Sequence, residues 1–361
     1  MTKVAGFEIE HGAFLDAKGR VLRPLPPFAQ DPATLIALYR AMVLTRTFDA
    51  KAISLQRTGR LGTYASSLGQ EAVAVGVGAA MRPEDVLLPS FREQGALLLR
   101  GVTMVELLLY WGGDERGSAF AGPREDFPIC VPVGTHAPHA AGVALALQLR
   151  GEVRVAVCVL GDGATSKGDV YEAMNFAGVR RLPVVFVVNN NQWAISVPRA
   201  RQSAAETLAQ KAIGAGFSGE QVDGNDVIAV REALERSLAK ARSGAGPTLV
   251  EALTYRLSDH TTADDASRYR DDAEVSTRWM EEPIARLRGY ASAAGHWTKA
   301  EEEALIAACT DEVDAAADEY LAMPPRARES MFDHLYAELP AGLAEQRAAL
   351  AEEGSAEKAA Q

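Results

Sequence analysis

A chain of 361 residues is long enough to bury a sizeable core, either as one large α/β domain with extensions or as two smaller domains. Its 48 acidic against 37 basic residues leave a net charge of −11, which argues against general nucleic-acid binding, since that needs a basic face. Three widely spaced cysteines, Cys130, Cys158 and Cys309, read as reduced residues of a cytoplasmic protein, and with no apolar signal core near the first residues and no apolar run of spanning length, neither export nor a membrane anchor is expected.

Residues 1–30 carry Pro24, Pro26 and Pro27 and read as an arm lying over a surface. Asp31-Pro32 then offers an N-cap and a proline at the first helical position, followed by Leu35, Leu38, Tyr39, Met42 and Val43 at helical spacing, so a helix is expected to about Arg57. Gly69 to Gly78 is a small-residue helix fit for close packing. Val86-Leu87-Leu88 is a short strand that delivers Phe91, Arg92 and Glu93 to its carboxyl end. There Arg92 is either a fork for phosphate oxygens or one half of a surface salt bridge. Trp111 to Pro128 is glycine-rich and reads as a turn at a site mouth or as an ordinary connection. Pro132 to Gly142 leads into a second small-residue helix, whose His136 and His139 read as ligands, bases or packed polar groups.

Val155 to Leu160 is β-branched and apolar without alternation, the pattern of a strand covered on both faces. It ends at Gly161-Asp162-Gly163. A helical period through Tyr171, Met174, Asn175 and Gly178 follows, beginning near Ser166 or Lys167, and then a second buried strand, Leu182 to Val188, ends at Asn189-Asn190-Asn191. In a right-handed parallel crossover both loops lie at the carboxyl edge of the sheet, where ligands of open α/β sheets bind. Asp162 and Asn191 are then expected to converge, and one carboxylate with one amide oxygen suits Mg²⁺ carrying a diphosphate. The helix start adds N–H groups and its positive dipole end.

Beyond the asparagines, Trp193 to Pro198 reads as an extended loop, Ala204 to Ala215 as a helix, Gln221 to Asp226 as a turn opening a helix from Val227 to Ala241, and Thr248 to Tyr255 as a buried strand. The polar loop Arg256 to Arg270 either closes over the Asp162 edge or is a disordered surface loop. Amphipathic helices are expected from Val275 to Met323. The expected organisation is an arm at 1–30, an α/β domain at 31–275 with a mostly parallel sheet and helices on both faces, C-terminal helices of the same unit at 276–345, and a flexible tail at 346–361.

Gly161-Asp162-Gly163 followed by a helix, a strand and Asn190-Asn191 resembles the motif of thiamine diphosphate-dependent enzymes. Asn190 to Ser196, Gln221 to Asp226, Tyr255-Arg256 through His260 to Tyr269-Arg270, Gly69-Gln70-Glu71-Ala72 and Phe91-Arg92-Glu93 extend this. Over roughly residues 30–340 the chain is similar to the alpha subunit of the decarboxylating component of 2-oxo acid dehydrogenase complexes. The resemblance implies a thiamine diphosphate-binding fold in which Asp162, the Asn191 side chain and the Trp193 main-chain carbonyl bind Mg²⁺. It implies Gly163 and Ala164 as backbone donors to the diphosphate, Arg92, Arg256 and His260 as side-chain partners, His260 as a catalytic group, and Val133 as the prop under a bent cofactor. Phe91 stands where the family usually has tyrosine, Cys130 and Val131 replace serines of branched-chain members, and Asn189 replaces a charged residue.

The same resemblance implies partners. A beta subunit would complete an α2β2 heterotetramer and supply the glutamate that activates the pyrimidine, and a lipoyl-bearing acyltransferase would take the acyl group. The substrate implied is a small 2-oxo acid, pyruvate first, with branched-chain 2-oxo acids and acetoin as alternatives. Two other classes fit less well. A dinucleotide-binding oxidoreductase wants Gly-x-Gly-x-x-Gly, which Ser166 breaks, and a noncatalytic scaffold need not keep Asp162, Asn191, Arg92 and His260 together.

Overall fold

The computed structural model describes the backbone of residues 1–359 and the side chains of residues 1–352. Two compact units divide at Asp318 and Glu319. The larger begins with β1 (His11–Gly12), α1 (Pro32–Arg57), α2 (Glu71–Ala80), β2 (Val86–Leu88), α3 (Gln94–Leu99), α4 (Met104–Trp111) and α5 (His136–Arg150). It continues with β3 (Ala156–Gly161), α6 (Gly168–Arg180), β4 (Val184–Asn190), a two-strand hairpin of β5 (Trp193–Ala194) and β6 (Val197–Pro198), and two short helices, α7 (Arg199–Gln202) and α8 (Gln210–Gly214). Then come β7 (Ser218–Asp223), α9 (Val227–Arg242), β8 (Thr248–Leu253), α10 (Asp272–Arg278), α11 (Pro283–Ala293) and α12 (Lys299–Ala322), whose last turn enters the second unit. That unit holds a 3-10 turn at Arg328–Phe332 and α13 (Ala341–Ala359), joined where Arg347 donates to Asp333 at 2.7 Å. The tail expected to fray from residue 346 lies in α13 as far as Ala359, and residues 360–361 fall outside the described residues.

Six strands form one parallel sheet in the order β1-β7-β8-β4-β3-β2. The runs that lack alternation do so because both faces are covered. Cys158, Leu160, Phe186 and Val188 pack with Ala137, Ala140 and Ala144 of α5 and Ala173, Met174 and Ala177 of α6. Their strand neighbours Val157, Val159, Val185 and Val187 point to the opposite face and are equally buried. α2 and α9 pack together, and α9 lies against β4, β7 and β8.

α1 starts as its sequence signals: the Asp31 carboxylate accepts from Ala33 and Thr34 N–H with Pro32 at the first position. Other expectations shift. The helix expected over Ala204 to Ala215 is only the short α8, because Leu208 and Ala209 N–H groups turn to the buried Glu251 carboxylate at 2.8 and 3.0 Å instead. In Gln221 to Asp226 the first half is the end of strand β7, Gly224 and Asn225 form the expected turn, and Asp226 caps α9. The proline-rich arm contributes β1, a two-residue edge strand parallel to β7.

Register decides where the two polar loops meet. In the β3–β4 pair Gly161 stands opposite Asn189, so Asp162 and the last asparagines leave the sheet side by side at its carboxyl edge.

Candidate functional site

Asp162 opens a 3-10 turn, Asp162–Ser166, and α6 begins only at Gly168. The helix start therefore lies one or two residues beyond the Ser166 or Lys167 expected, with Lys167 at its N-cap. Thr165 Oγ1 donates to the Asp162 carbonyl at 2.8 Å, and Lys211 Nζ of α8 donates to the Thr165 carbonyl and hydroxyl at 2.6 and 3.0 Å. The turn is thus clamped from below. Gly163 has to be glycine for packing: a Cβ there would lie 2.9 Å from Ala194 Cβ, in the hairpin above.

Asp162 is 1% exposed, and its Oδ2 has no hydrogen-bond partner. Burial pushes its carboxyl up to about 6, against the lowering effect of its own and Gly163's N–H groups and of Arg256 and Arg92. An ionised oxygen left without a partner in such a place is a site for a cation.

The asparagines divide their work. Asn190 Nδ2 donates at 2.7 Å to Glu251, which also takes Gln221 Nε2 and the Leu208 and Ala209 N–H groups just before α8. Asn189 Oδ1 accepts from Thr254 Oγ1 at 2.8 Å, so a neutral hydrogen bond stands where a charge was expected. Asn191 faces the site: its Oδ1 accepts from Trp193 N–H at 3.2 Å and its Nδ2 donates to Gln70 Oε1 at 2.9 Å. Gln192 and Ile195 adopt positive φ values of 71° and 55°, the second on a β-branched residue, and such strain concentrates at functional loops.

Arg92 and Arg256 organise the far side. Arg92 is 6% exposed; its Nη1 donates to the Ser66 carbonyl, its Nη2 to the His260 carbonyl at 2.7 Å, and Nη2 stands 3.1 Å from His260 Nδ1. Arg256 is fully buried and gives its N–H groups to the carbonyls of Ser258, Trp193 and Ile195, to the Tyr269 hydroxyl and toward His260 Nδ1. Two cationic donors facing Nδ1 make it the acceptor, so the proton sits on Nε2. Burial, then Arg92 and Arg256, push the imidazole down to about 4, and it is neutral at neutral pH. The 256–270 loop is therefore ordered, with His260 N–H also donating to Asp264 at 2.9 Å.

These groups share one cavity of about 680 Å³. Phe91, Arg92, Val133, Asp162, Gly163, Ala164, Asn191, Trp193 and His260 line it, together with Asn189. Arg256 stands behind the wall, holding the Trp193 carbonyl and His260 in place. Phe91 packs edge-on to His260 with ring centroids 6.0 Å apart. Val131, Val133, Ile195 and Val197 form an apolar exposed rim. His136 and His139 lie elsewhere: His136 is a packed polar group whose Nε2 meets the Val159 carbonyl at 2.7 Å, and His139 is exposed, with Nδ1 3.0 Å from the Thr135 carbonyl.

Three further cavity residues have roles that the sequence motifs do not spell out. Gln70 orients Asn191, Gln202 presents a buried amide oxygen without a partner, and Glu93, 5% exposed, has its carboxyl raised to about 7 by burial. Behind them Asp49 accepts from the Tyr64 hydroxyl at 2.9 Å and Ser67 N–H at 2.8 Å, and fixes the strand of chain whose Ser66 carbonyl holds Arg92.

Among the described residues no three His, Cys, Asp or Glu side chains are grouped to hold a metal. The donor set around Asp162 is one carboxylate with amide and carbonyl oxygens, which suits Mg²⁺ completed by ligand and water oxygens and suits Zn²⁺ poorly. The unpartnered Asp162 oxygen, the backbone of Gly163 and the Arg92 and His260 donors fit a magnesium-diphosphate group.

The family model of the dehydrogenase E1 component matches residues 39–327. A 3-methyl-2-oxobutanoate dehydrogenase subunit alpha from Mycobacterium tuberculosis is 44% identical over 332 residues, 92% of this chain and 89% of the relative. The pyruvate dehydrogenase E1 component subunits alpha of Acholeplasma laidlawii and Staphylococcus epidermidis are each 39% identical, covering 92% of this chain and 96% and 90% of the relatives.

Proposed function

The chain belongs to the dehydrogenase E1 component family, and from that membership we propose that it is the alpha subunit of a 2-oxo acid dehydrogenase whose Asp162 cavity holds thiamine diphosphate with Mg²⁺. The carrying observation is the Asp162 Oδ2, buried and without a partner, in one cavity with Asn191 and Trp193.

Asp162, the second lone pair of Asn191 Oδ1 and the Trp193 carbonyl would hold the cation. Gly163 and Ala164 N–H groups and Arg92 would take the diphosphate oxygens, and Val133 would set the bend of the cofactor. When bound, thiamine diphosphate supplies the electron sink into which a 2-oxo acid loses CO₂. His260 keeps its proton on Nε2 through Arg92 and Arg256, and so offers a neutral hydrogen-bond donor to an anionic oxygen of substrate or acyl acceptor. The apolar rim keeps water from the reacting end.

The alpha subunit of such an enzyme works with a beta subunit. The reading extends to an α2β2 assembly in the cytoplasm, in keeping with the free Cys130, Cys158 and Cys309, and to transfer of the acyl group to a lipoyl-bearing acyltransferase. Among the described residues no helix is long and apolar enough to cross a membrane. Pyruvate is the substrate expected from the sequence, and the relatives at 39% identity are named for it. A second reading, a branched-chain 2-oxo acid, is favoured by the 44%-identical relative and by the apolar Val131, Val133, Ile195 and Val197 rim.

The test is turnover of pyruvate and 3-methyl-2-oxobutanoate by decarboxylation, and of acetoin by carbon–carbon cleavage, by the chain co-expressed with its beta subunit, read with an artificial electron acceptor. Turnover of a 2-oxo acid that depends on thiamine diphosphate and Mg²⁺ is expected. Binding of NAD in place of thiamine diphosphate, or no 2-oxo acid turned over, overturns the reading.

A further inference from the structure

Gln70 precedes α2 and is 1% exposed on the wall of the Asp162 cavity. Its position is tightly set. Gly69 before it has φ 84°, and a Cβ there would meet the Tyr255 carbonyl at 2.7 Å, so the chain passes directly under the strand end that carries Arg256.

Donor and acceptor chemistry fixes which way the Gln70 amide faces. Trp193 N–H can only donate, so the Asn191 atom 3.2 Å away is its oxygen. Asn191 Nδ2 is then a donor, and it meets Gln70 Oε1 at 2.9 Å. What remains is Gln70 Nε2, buried and with no partner. A buried amide nitrogen without an acceptor calls for a ligand oxygen. Of the other unpartnered polar atoms on the same wall, Asp162 Oδ2 and Gln202 Oε1 are acceptors and Trp111 Nε1 is an indole donor, while Arg256 has its N–H groups committed to protein oxygens and His260. Gln70 is thus the uncommitted amide donor at the Asn191 side of the cavity.

We propose that Gln70 acts twice in the site, holding Asn191 with its Oε1 so that the asparagine oxygen faces the cation, and donating from Nε2 to a phosphate oxygen of the same ligand. This rests on the magnesium-diphosphate reading of the cavity. It makes Gln70 a positioning residue toward the metal and a binding residue toward the anion, and the two actions separate chemically. Glutamate at this position keeps an acceptor for Asn191 Nδ2 but replaces the donor by an anionic oxygen. Methionine removes both.

The experiment is calorimetric titration of the assembled alpha and beta subunits with thiamine diphosphate at saturating Mg²⁺, and with Mg²⁺ at saturating thiamine diphosphate. Gln70→Met is expected to weaken both by roughly tenfold or more. Gln70→Glu is expected to weaken thiamine diphosphate by roughly tenfold or more while leaving Mg²⁺ affinity unchanged or raised. Wild-type affinities in both variants, with unliganded melting as in the wild type, overturn the proposal, as does equal loss of both affinities in Gln70→Glu. If one variant does not assemble, the other decides by the same readouts. A wild-type protein that binds no thiamine diphosphate overturns the parent reading instead.

Discussion

Arg92 and His260 meet twice across the cavity: Arg92 Nη2 donates to the His260 carbonyl at 2.7 Å and faces its Nδ1 at 3.1 Å. The contact fixes both the ring and its tautomer, and with burial it holds the imidazole near 4 in the ligand-free protein. The folded value lies below the ordinary 6.5, so the unfolded chain binds the extra proton between those limits. The stability tied to neutral His260 is complete above about pH 6.5 and is lost as pH falls toward 4. The ligand-free melting temperature should drop over this window, and His260→Gln should remove part of the drop. In the assembled enzyme His260→Ala should lower turnover even at saturating thiamine diphosphate; full turnover there would leave His260 a binding residue only.

Asp162 carries the opposite sign. Its folded value near 6 lies above the ordinary 3.8, so its contribution is full below about pH 3.8 and lost as pH rises through 6. At pH 8 the ligand-free protein therefore keeps a costly buried charge. Asp162→Asn should raise its stability at pH 8, by on the order of 2 kcal/mol, and change little below pH 4. The same substitution should abolish Mg²⁺-dependent binding of thiamine diphosphate in calorimetry. A variant that is no more stable at pH 8 would mean the carboxylate is already compensated.

Asp49 touches nothing in the cavity, yet it anchors Tyr64, Ser66 and Ser67, and Ser66 in turn holds Arg92. Asp49→Ala leaves several buried donors without an acceptor and should cost about 3 kcal/mol of stability in denaturant melts. Asp49→Asn should be milder, raising KM for thiamine diphosphate with kcat near wild type. An unchanged KM would uncouple Arg92 from this loop.

Phe91 lies at the cavity between the Arg92 guanidinium, 5.1 Å from its ring centroid, and His260. Phe91→Tyr adds a hydroxyl on the cavity side of that sandwich. The expected result is roughly threefold to tenfold tighter thiamine diphosphate in calorimetry, the worth of one hydrogen bond to an anion partly offset by desolvation. Weaker binding would show that the ring edge has no room for the oxygen.

The sheet was legible where burial alone writes the pattern. Val155 to Leu160 and the run through Val188 are unalternating because α5 and α6 cover one face while Val157, Val159, Val185 and Val187 are buried on the other. The Asp162 and Asn191 pairing followed from that, since parallel register is set by the strands. Short pieces were not legible. β1 is two residues held by main-chain hydrogen bonds, and α8 is cut short by Glu251, a group far away in sequence. Gln70 and Glu93 were legible only as members of the Gly69-Gln70-Glu71-Ala72 and Phe91-Arg92-Glu93 motifs, without a role, and Gln202 sits in a stretch of ordinary composition. Their meaning comes from partners such as Asn191, 121 positions from Gln70. Arg256 shows the reverse: sequence puts it among the cofactor contacts, whereas its N–H groups are taken by the protein.

That use of Arg256 bears on the order in which the site can form as the chain is made. The carbonyls it grips, those of Trp193 and Ile195, belong to a hairpin 63 and 61 positions earlier, and its other bonds reach forward to Ser258 and Tyr269. The hairpin can close locally as soon as it leaves the ribosome, with Ala194 pairing Val197 across its strained Ile195 turn, but the Arg256 bonds to its carbonyls form only when residue 256 arrives. The Trp193 carbonyl and the loop that bears His260 are therefore set in one late step, so a nascent chain halted before β8 is complete would have a sheet edge but no cradle.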